Sequence, residues 1–241
     1  MIEQVKPEVV LVTCTEDRMV PAKAARLCTS TKTVAEILEP FEGDEGIIEK
    51  VMGYGHQSIS EHFSVTFGVS GISRVTETQL VRHRVGSTYS VKSGRYTKVG
   101  ENFKVVIPEK IKGKSSLVGI PSEDWPSLDI VLGVDDLINI CHEAYLDLLA
   151  QGVPPEDARY ILPQATATQL LVTMNARQLL HFFGERCCSK AQWEFREAAN
   201  QMLQICLELH PVLFKNAGPK CLALGFCPEQ KSCGLHPPKQ G

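Results

Sequence analysis

Residues His62 to Ser70, HFSVTFGVS, alternate strictly: Phe63, Val65, Phe67 and Val69 fall on one side, and Ser64, Thr66, Gly68 and Ser70 on the other. A two-residue period belongs to a strand with one face buried. A strand with that much apolar surface on one face needs neighbours, so a sheet lies here. Other strand candidates are Val9 to Thr13, FKVVIP at 103–108 and TATQLLVTMN at 166–175.

Between these runs the period changes to that of helices. Short helical pieces fall around Pro21 to Leu27 and Thr33 to Leu38, and Asp44 is expected to cap a third helix that ends near Gly53 to Gly55. Ser73 to Arg84 carries Val75, Leu80 and Val81 at helical spacing and delivers Arg82, His83 and Arg84 at its end. Asp135 to Gln151 is helical, with Gly152 as its stop and Pro154 and Pro155 opening the next element. A helix follows from Asn175, and a long one runs from Ser189 to His210. The Lys-, Gly-, Ser- and Pro-rich stretch 109–127 reads as a mobile loop. The order lacks the regular strand-helix alternation of a doubly wound sheet, and no Gly-rich phosphate loop follows a strand. The expected class is therefore α+β: a twisted, mainly antiparallel sheet packed with helices, including long C-terminal helices.

With 241 residues and 43% hydrophobic content, the chain can bury a substantial core. A net charge of −3 provides no global field for nucleic acid, so any anion site must be local. The N-terminal MIEQVKPEVVLVTCTEDR has no basic start followed by an apolar run, and no stretch approaches the roughly 18 apolar residues of a spanning helix, so no membrane and a cytoplasmic location are expected. Nine cysteines without a secretory signal fit reduced thiols. Cys221, Cys227 and Cys233 are separated by five-residue gaps, with His236 behind them, which is not the tight pairing of structural zinc sites; no metal is expected.

Three polar clusters stand out. RHRVGSTYSVKSGRYT, Arg82 to Thr97, holds four positive charges, five Ser or Thr hydroxyls, two tyrosines and no acid. Cations at a helix's last turn are often explained by the helix dipole, at ~0.3 to 1 kcal/mol each, but Lys92, Ser93, Gly94, Arg95 and Tyr96 extend the cluster with nothing to neutralise it. Arginine forks suit phosphates and planar heterocycle edges. GHQSISEH, Gly55 to His62, holds two histidines six apart, off a common helical face, and reads as a satisfied polar turn. NARQLLHFFGER places Asn175 at a helix start, Arg177 and His181 four apart on one face, and Arg186 past Gly184. Taken alone, that segment is also an ordinary amphipathic helix with a snorkelling arginine.

Taken together, Arg-His-Arg, the eight-residue spacer Val85 to Lys92, Ser-Gly-Arg-Tyr, His-Gln-Ser-Ile-Ser-Glu-His, Asn-Ala-Arg, Arg186 and Ala-Gln-Trp-Glu at 191–194 stand in one order over about residues 20–210. The set resembles the signature of the flavin-dependent thymidylate synthases. The resemblance implies an enzyme that makes dTMP from dUMP, with methylenetetrahydrofolate as one-carbon donor and NADPH as reductant through bound FAD, and with no cysteine nucleophile. It divides the chain into one catalytic domain, 1–218, and a Cys- and Pro-rich tail, 219–241. Ser58, Arg82, His83, Arg84, Asn175, Arg177 and His181 resemble the family's FAD-binding positions, with His56 and Glu61 lining the same region. Gln79, Arg82, Ser93, Gly94, Arg95, Arg159 and Arg186 resemble those that hold dUMP, with Arg95 and Arg159 as phosphate and sugar clamps. Arg186 would face the uracil as the catalytic residue. The resemblance also implies a homotetramer whose sites take Arg95 and Arg159 from one subunit and Arg82 and Arg186 from another.

The chain departs from the family pattern at Tyr89-Ser90-Val91-Lys92, where many members carry Asn-Glu, so no contact is carried over within 88–92. His181 stands where relatives have asparagine; both side chains donate and accept hydrogen bonds. Ser93 reads as a ligand contact, because a permanently protonated arginine cannot serve as its activating base. Cys187 and Cys188 read as structural. The reading from another class is a non-catalytic nucleotide- or RNA-binding protein that uses the Arg-rich segment.

Overall fold

The computed structural model describes residues 2–120 and 128–239. Strands β1 (Ile2–Gln4) and β2 (Glu8–Cys14) are followed by helices α1 (Val20–Thr29), α2 (Val34–Leu38) and α3 (Asp44–Gly53). A 3-10 turn over Gln57–His62 leads into β3 (Ser64–Ser73), and then come α4 (Arg74–Leu80), β4 (Ser87–Val91), β5 (Phe103–Val105), β6 (Ser115–Ile120) and β7 (Leu128–Gly133). The chain continues through α5 (Val134–Ala150), α6 (Pro155–Ala158), β8 (Ala167–Asn175), α7 (Ala176–Arg186), α8 (Trp193–Leu209), α9 (Pro211–Phe214) and α10 (Lys220–Leu224). These elements form two compact units. The first comprises Met1–Lys6, Gly71–Glu77 and Val91–Gln169, and the second Pro7–Ser70, Thr78–Ser90 and Leu170–Gly241.

The second unit is organised by the sheet β2-β3-β8-β4. β2 runs antiparallel to β3, with Glu8 opposite Ser70 and Cys14 opposite Val65 and a shift of register between Leu11 and Thr13. The bonds from Asn175 N to Gly86 O (3.0 Å) and from Lys92 N to Gln169 O (2.9 Å) bracket β4 antiparallel to β8 at the sheet's edge. The sequence period is realised side chain by side chain: Phe63, Val65 and Phe67 have no exposed surface and Val69 has 2%, and Leu170, Val172 and Met174 of β8 are buried as well. Thr66 and Thr173 bond across the opposite face, hydroxyl to hydroxyl, at 2.8 Å. Ring edges continue the core outward, with Phe63 5.3 Å from His210 and Phe182 5.6 Å from Phe195. Burying a Phe or Leu side chain of this kind stabilises by about 1.5–3 kcal/mol.

The first unit packs Phe103, Val105, Ile107 and Ile138 together, with Ile2, Val99, Val134 and Leu162 against them. β1 lies parallel to β5, and β6 is antiparallel to β7. His142 stacks on Phe103 at 4.5 Å and bonds through Nε2 to the Gly100 carbonyl at 3.0 Å.

Several expectations are corrected. Residues 109–127 are not all loop: Ser115–Ile120 is a strand, because the apolar run LVGI pairs along β7 despite its polar flanks, while 121–127 lie outside the described residues. Within the Arg-rich segment, where no strand was expected, Ser87–Val91 is the edge strand β4. Asp44 is not a cap; Gly43 holds that position, and the buried Asp44 carboxylate pairs with Arg26 Nε at 3.0 Å. The helix bearing the Arg-His-Arg triplet stops at Leu80, so the triplet lies in the turn beyond it. The long C-terminal helix begins at Trp193, not Ser189, because the Gln192 side chain accepts the Phe195 amide at 2.7 Å and caps it there.

Candidate active site

In the second unit the turn after α4 sends Arg82 and Arg84 to solvent and His83 inward, where it is 9% exposed. Tyr89 of β4 fixes that turn by donating its hydroxyl to the His83 carbonyl at 2.7 Å. The imidazole meets Phe182 edge-on at 5.1 Å and Phe195 at 6.2 Å. Arg186, at the end of α7, donates its Nε–H to His83 Nε2 at 2.9 Å, and its guanidinium lies over the Phe195 ring at 4.8 Å.

This geometry dictates protonation. A guanidinium has only donors, so His83 Nε2 must carry no proton and the neutral ring must carry it on Nδ1. Nδ1 lies 3.3 Å from the side-chain amide of Gln178, which must therefore turn its oxygen toward the ring. Burial, then the nearby charges of Arg186 and His181, lower the His83 pKa to about 4, so the neutral form prevails near pH 7. With Nε held and one face covered, rotation of the Arg186 plane is blocked, and its two terminal amino groups project from a fixed direction.

Asn175 is the N-cap of α7, its side chain accepting the Gln178 amide at 2.9 Å. Gly86 presses against it. Gly86 has φ +66°, and a Cβ there would lie 2.7 to 2.9 Å from the Asn175 side-chain amide. Around this junction Ser58, Arg82, Arg84, Arg177 and His181 are solvent-exposed, and Gln79 is half-buried. Arg177 pairs with Glu61 of the 3-10 turn, and the His181 ring lies 6.2 Å from His83.

The first unit holds a separate cationic group. Ser93 opens a tight turn, its carbonyl accepting from Thr97 N at 3.1 Å and from the Thr97 hydroxyl at 2.6 Å. Its hydroxyl accepts the Arg95 amide at 3.3 Å. Gly94 is the position of close approach: a Cβ would meet Arg159 Cδ and an Arg74 terminal nitrogen, each at 3.4 Å. Arg159 is steadied by donating Nε–H to the Glu156 carbonyl at 3.0 Å. Arg95 bonds through Nε to the Glu156 carboxylate at 2.9 Å, with both side chains about half exposed. The Ser93-Gly94 turn is thus flanked by the guanidinium groups of Arg74, which also pairs with Glu77 at 2.7 Å, Arg95 and Arg159, a set of donors suited to an oxyanion.

Ser93, Gly94, Arg95 and Arg159 therefore come together in the first unit. His83, Asn175 and Arg186 come together in the second, with Arg82, Arg84, Arg177 and His181 at their rim. Sequence reasoning missed Arg74, Glu156, Gln178 and Phe195. Arg74 had a signal, the cation directly after a strand's end, whereas Gln178 reads as one more polar residue of an amphipathic helix.

The sequence model of the family described as thymidylate synthase complementing protein, Thy1, matches residues 10–212. The chain belongs to this family. Proteins named flavin-dependent thymidylate synthase resemble it closely: that of Geobacter sulfurreducens is 42% identical over 217 residues, covering 88% of this chain and 87% of that protein. The Pyrococcus abyssi protein is 42% identical over 198 residues, covering 79% and 74%. Among solved structures, the UMP/dUMP methylase PolB from Streptomyces cacaoi, bound with 5-Br dUMP, matches with a TM-score of 0.69 at 28% identity, covering 88% of this chain and 95% of that one. The family match starts in β2 and ends in α9, so it takes in both cationic groups and leaves out the cysteine-bearing end of the chain.

Proposed function

We propose that this chain is a flavin-dependent thymidylate synthase. It forms dTMP from dUMP, with methylenetetrahydrofolate supplying the one-carbon unit and NADPH the reducing equivalents by way of FAD. The observation that carries the reading is the fixed guanidinium of Arg186, held through Nε by a neutral, buried His83. A planar donor in a set direction is what uracil needs: its two terminal N–H groups stabilise negative charge at N3 and the adjacent carbonyl, which activates the ring.

The residues present fit an anionic dinucleotide. Arg82, Arg84 and Arg177 are exposed cations, Ser58 and His181 are exposed hydrogen-bonding groups, and all lie in the unit that contains the Gly86–Asn175 junction. His83 and Asn175, whose side chains are occupied internally, contribute by shaping that surface. When bound, FAD accepts and passes on the reducing equivalents, chemistry that no protein side chain supplies. Arg95 and Arg159, with the Ser93-Gly94 backbone, hold the dUMP phosphate and sugar; phosphate binding there exchanges the Glu156 carboxylate for a stronger anion on Arg95. Gln79 and Arg82 complete the dUMP contacts. Residues 1–218 form the catalytic part, and 219–241 a tail outside the chemistry.

The active assembly is a cytoplasmic homotetramer, with Arg95 and Arg159 of one subunit serving a site that takes Arg82 and Arg186 from another. One surface supports association: Val10, Val12 and Leu171 are 51%, 52% and 47% exposed on the sheet face that Gly68 leaves open. Among the described residues no helix is long and apolar enough to cross a membrane.

The test is a titration of the purified protein with FAD, followed by flavin fluorescence, run beside an oligonucleotide titration at two salt concentrations. Quenching with a stable stoichiometry, unaffected by the oligonucleotide, is the expected result. Salt-dependent oligonucleotide binding with no flavin uptake would favour a nucleic-acid-binding protein instead.

A further inference from the structure

Beyond the family match, the end of the chain folds back onto the segment after α7. A cavity of about 190 Å³ is lined by Cys188, Cys221, Cys227 and Cys233 together with Lys190 and Lys220. A second cavity, of about 160 Å³, is lined by Cys187, Cys188, Cys221 and Cys233. Cys188, Cys221 and Cys233 are thus common to both. The described residues offer no set of three or more His, Cys, Asp or Glu arranged to hold a metal ion, and the thiols differ sharply in access. Cys221 and Cys227 are buried, Cys188 is half-buried, and Cys233 is exposed.

Local structure presents Cys233. Gly234, at φ +89°, turns the chain just beyond it. Ser232 braces that turn, donating its hydroxyl to the His236 carbonyl at 2.9 Å and accepting the Gly234 amide at 3.1 Å. We propose that Cys233 is a thiol-disulfide exchange site which, on meeting a low-molecular-weight disulfide of the glutathione class, closes to a reversible disulfide with Cys188.

The chemistry runs in two balanced displacements. The Cys233 thiolate attacks one sulfur of the small disulfide, forming a mixed disulfide and expelling one small thiolate. Cys188 then gives up its proton to that thiolate and attacks Cys233 Sγ, expelling the second small thiolate. Two protein thiols are oxidised and one small disulfide is reduced to two thiols. The order of attack follows from the surroundings. The Ser189 side chain, the Leu235 backbone and the Lys190 charge stabilise the Cys233 thiolate and hold its pKa below the usual thiol range, while burial pushes Cys187 up to about 12 and raises Cys221. Cys188 is the resolving thiol because it lines both cavities with Cys233 and is only half-buried, whereas Cys221, which also lines both, is enclosed. The disulfide would tie the tail to a point two residues beyond Arg186.

Cys28, exposed near the end of α1, is the internal control. The full-length reduced protein is treated with oxidised glutathione, quenched at intervals and mapped by peptide mass. Cys233 is expected to react severalfold faster than Cys28, and a peptide joining residues 187–190 to Cys233 should appear and vanish on reduction. Cys188→Ser should abolish that cross-link and leave glutathione on Cys233. The proposal is overturned if Cys233 reacts no faster than Cys28, if the wild type stops at the glutathione adduct, or if the cross-link survives Cys188→Ser. Should that variant not fold, the wild-type rates and cross-link map still decide.

Discussion

Arg186 and His83 form one device at the residue scale, although 103 positions separate them. Arg186→Lys keeps a positive charge but loses the planar fork, and losing one oriented donor to a developing anion costs ~2.7 to 4 kcal/mol. Turnover should therefore fall roughly a hundredfold to a thousandfold, with FAD uptake retained; near-native turnover would remove Arg186 from the chemistry. His83→Phe keeps the aromatic packing but removes the acceptor. A hydrogen bond to a charged group contributes about 1.5–3 kcal/mol, so a drop of roughly ten- to a hundredfold is expected, mainly in kcat. An unchanged kcat in the folded variant would show that the His83 bond does not orient Arg186. No local spacing could have revealed this pair: both residues were singled out in the sequence, one for FAD and one for uracil, and only the fold brings them together.

The junction of β4, β8 and α7 carries the argument at the scale of elements. Gly86→Ala places a methyl group at φ +66° against the Asn175 cap. The left-handed conformation costs an alanine ~1 kcal/mol, and disturbing the N-cap a further ~1 kcal/mol. Together these should lower Tm by about 4 to 8 °C. Asn175→Ala alone should cost about 1 kcal/mol, and the double variant less than the sum, because the clash disappears with the side chain; strict additivity would show that the two residues do not interact. This junction was half legible. The alternation of β3 and the run TQLLVTMN announced their strands, and Asn175 announced a helix start. β4 was hidden because STYSV carries hydroxyls, which suit an edge strand as well as a loop, and β6 because its apolar run is short among lysines and glycines.

For the whole molecule, three buried histidines set the response to acid. His83, His142 and His210 all have lowered pKa values, with burial the largest cause in each. Each therefore binds protons more readily when unfolded, so the unfolded state holds more protons below the ordinary value of 6.5 and stability rises with pH there. His83 alone extends this window down to about 4. The carboxylates of Asp17 and Glu185, lowered chiefly by Lys23 and Lys220, act in the same direction. Tm should fall progressively as pH drops from 7 to 5 at constant ionic strength; a constant or rising Tm over that range would contradict the buried neutral histidines. The α+β class was legible from the strand periods, whereas the division into two units was not, because the chain passes between them through short segments such as 71–77 that carry no linker composition.

The most direct test of the account is product formation. Purified protein is incubated with FAD, dUMP, methylenetetrahydrofolate and NADPH, and dTMP is followed by chromatography, with each component omitted in turn and with the Arg186→Lys protein alongside. The account predicts dTMP from the complete mixture, none when dUMP or methylenetetrahydrofolate is left out, and a strong loss with the variant. A flavin-loaded wild type that leaves dUMP unchanged in the complete mixture would contradict it.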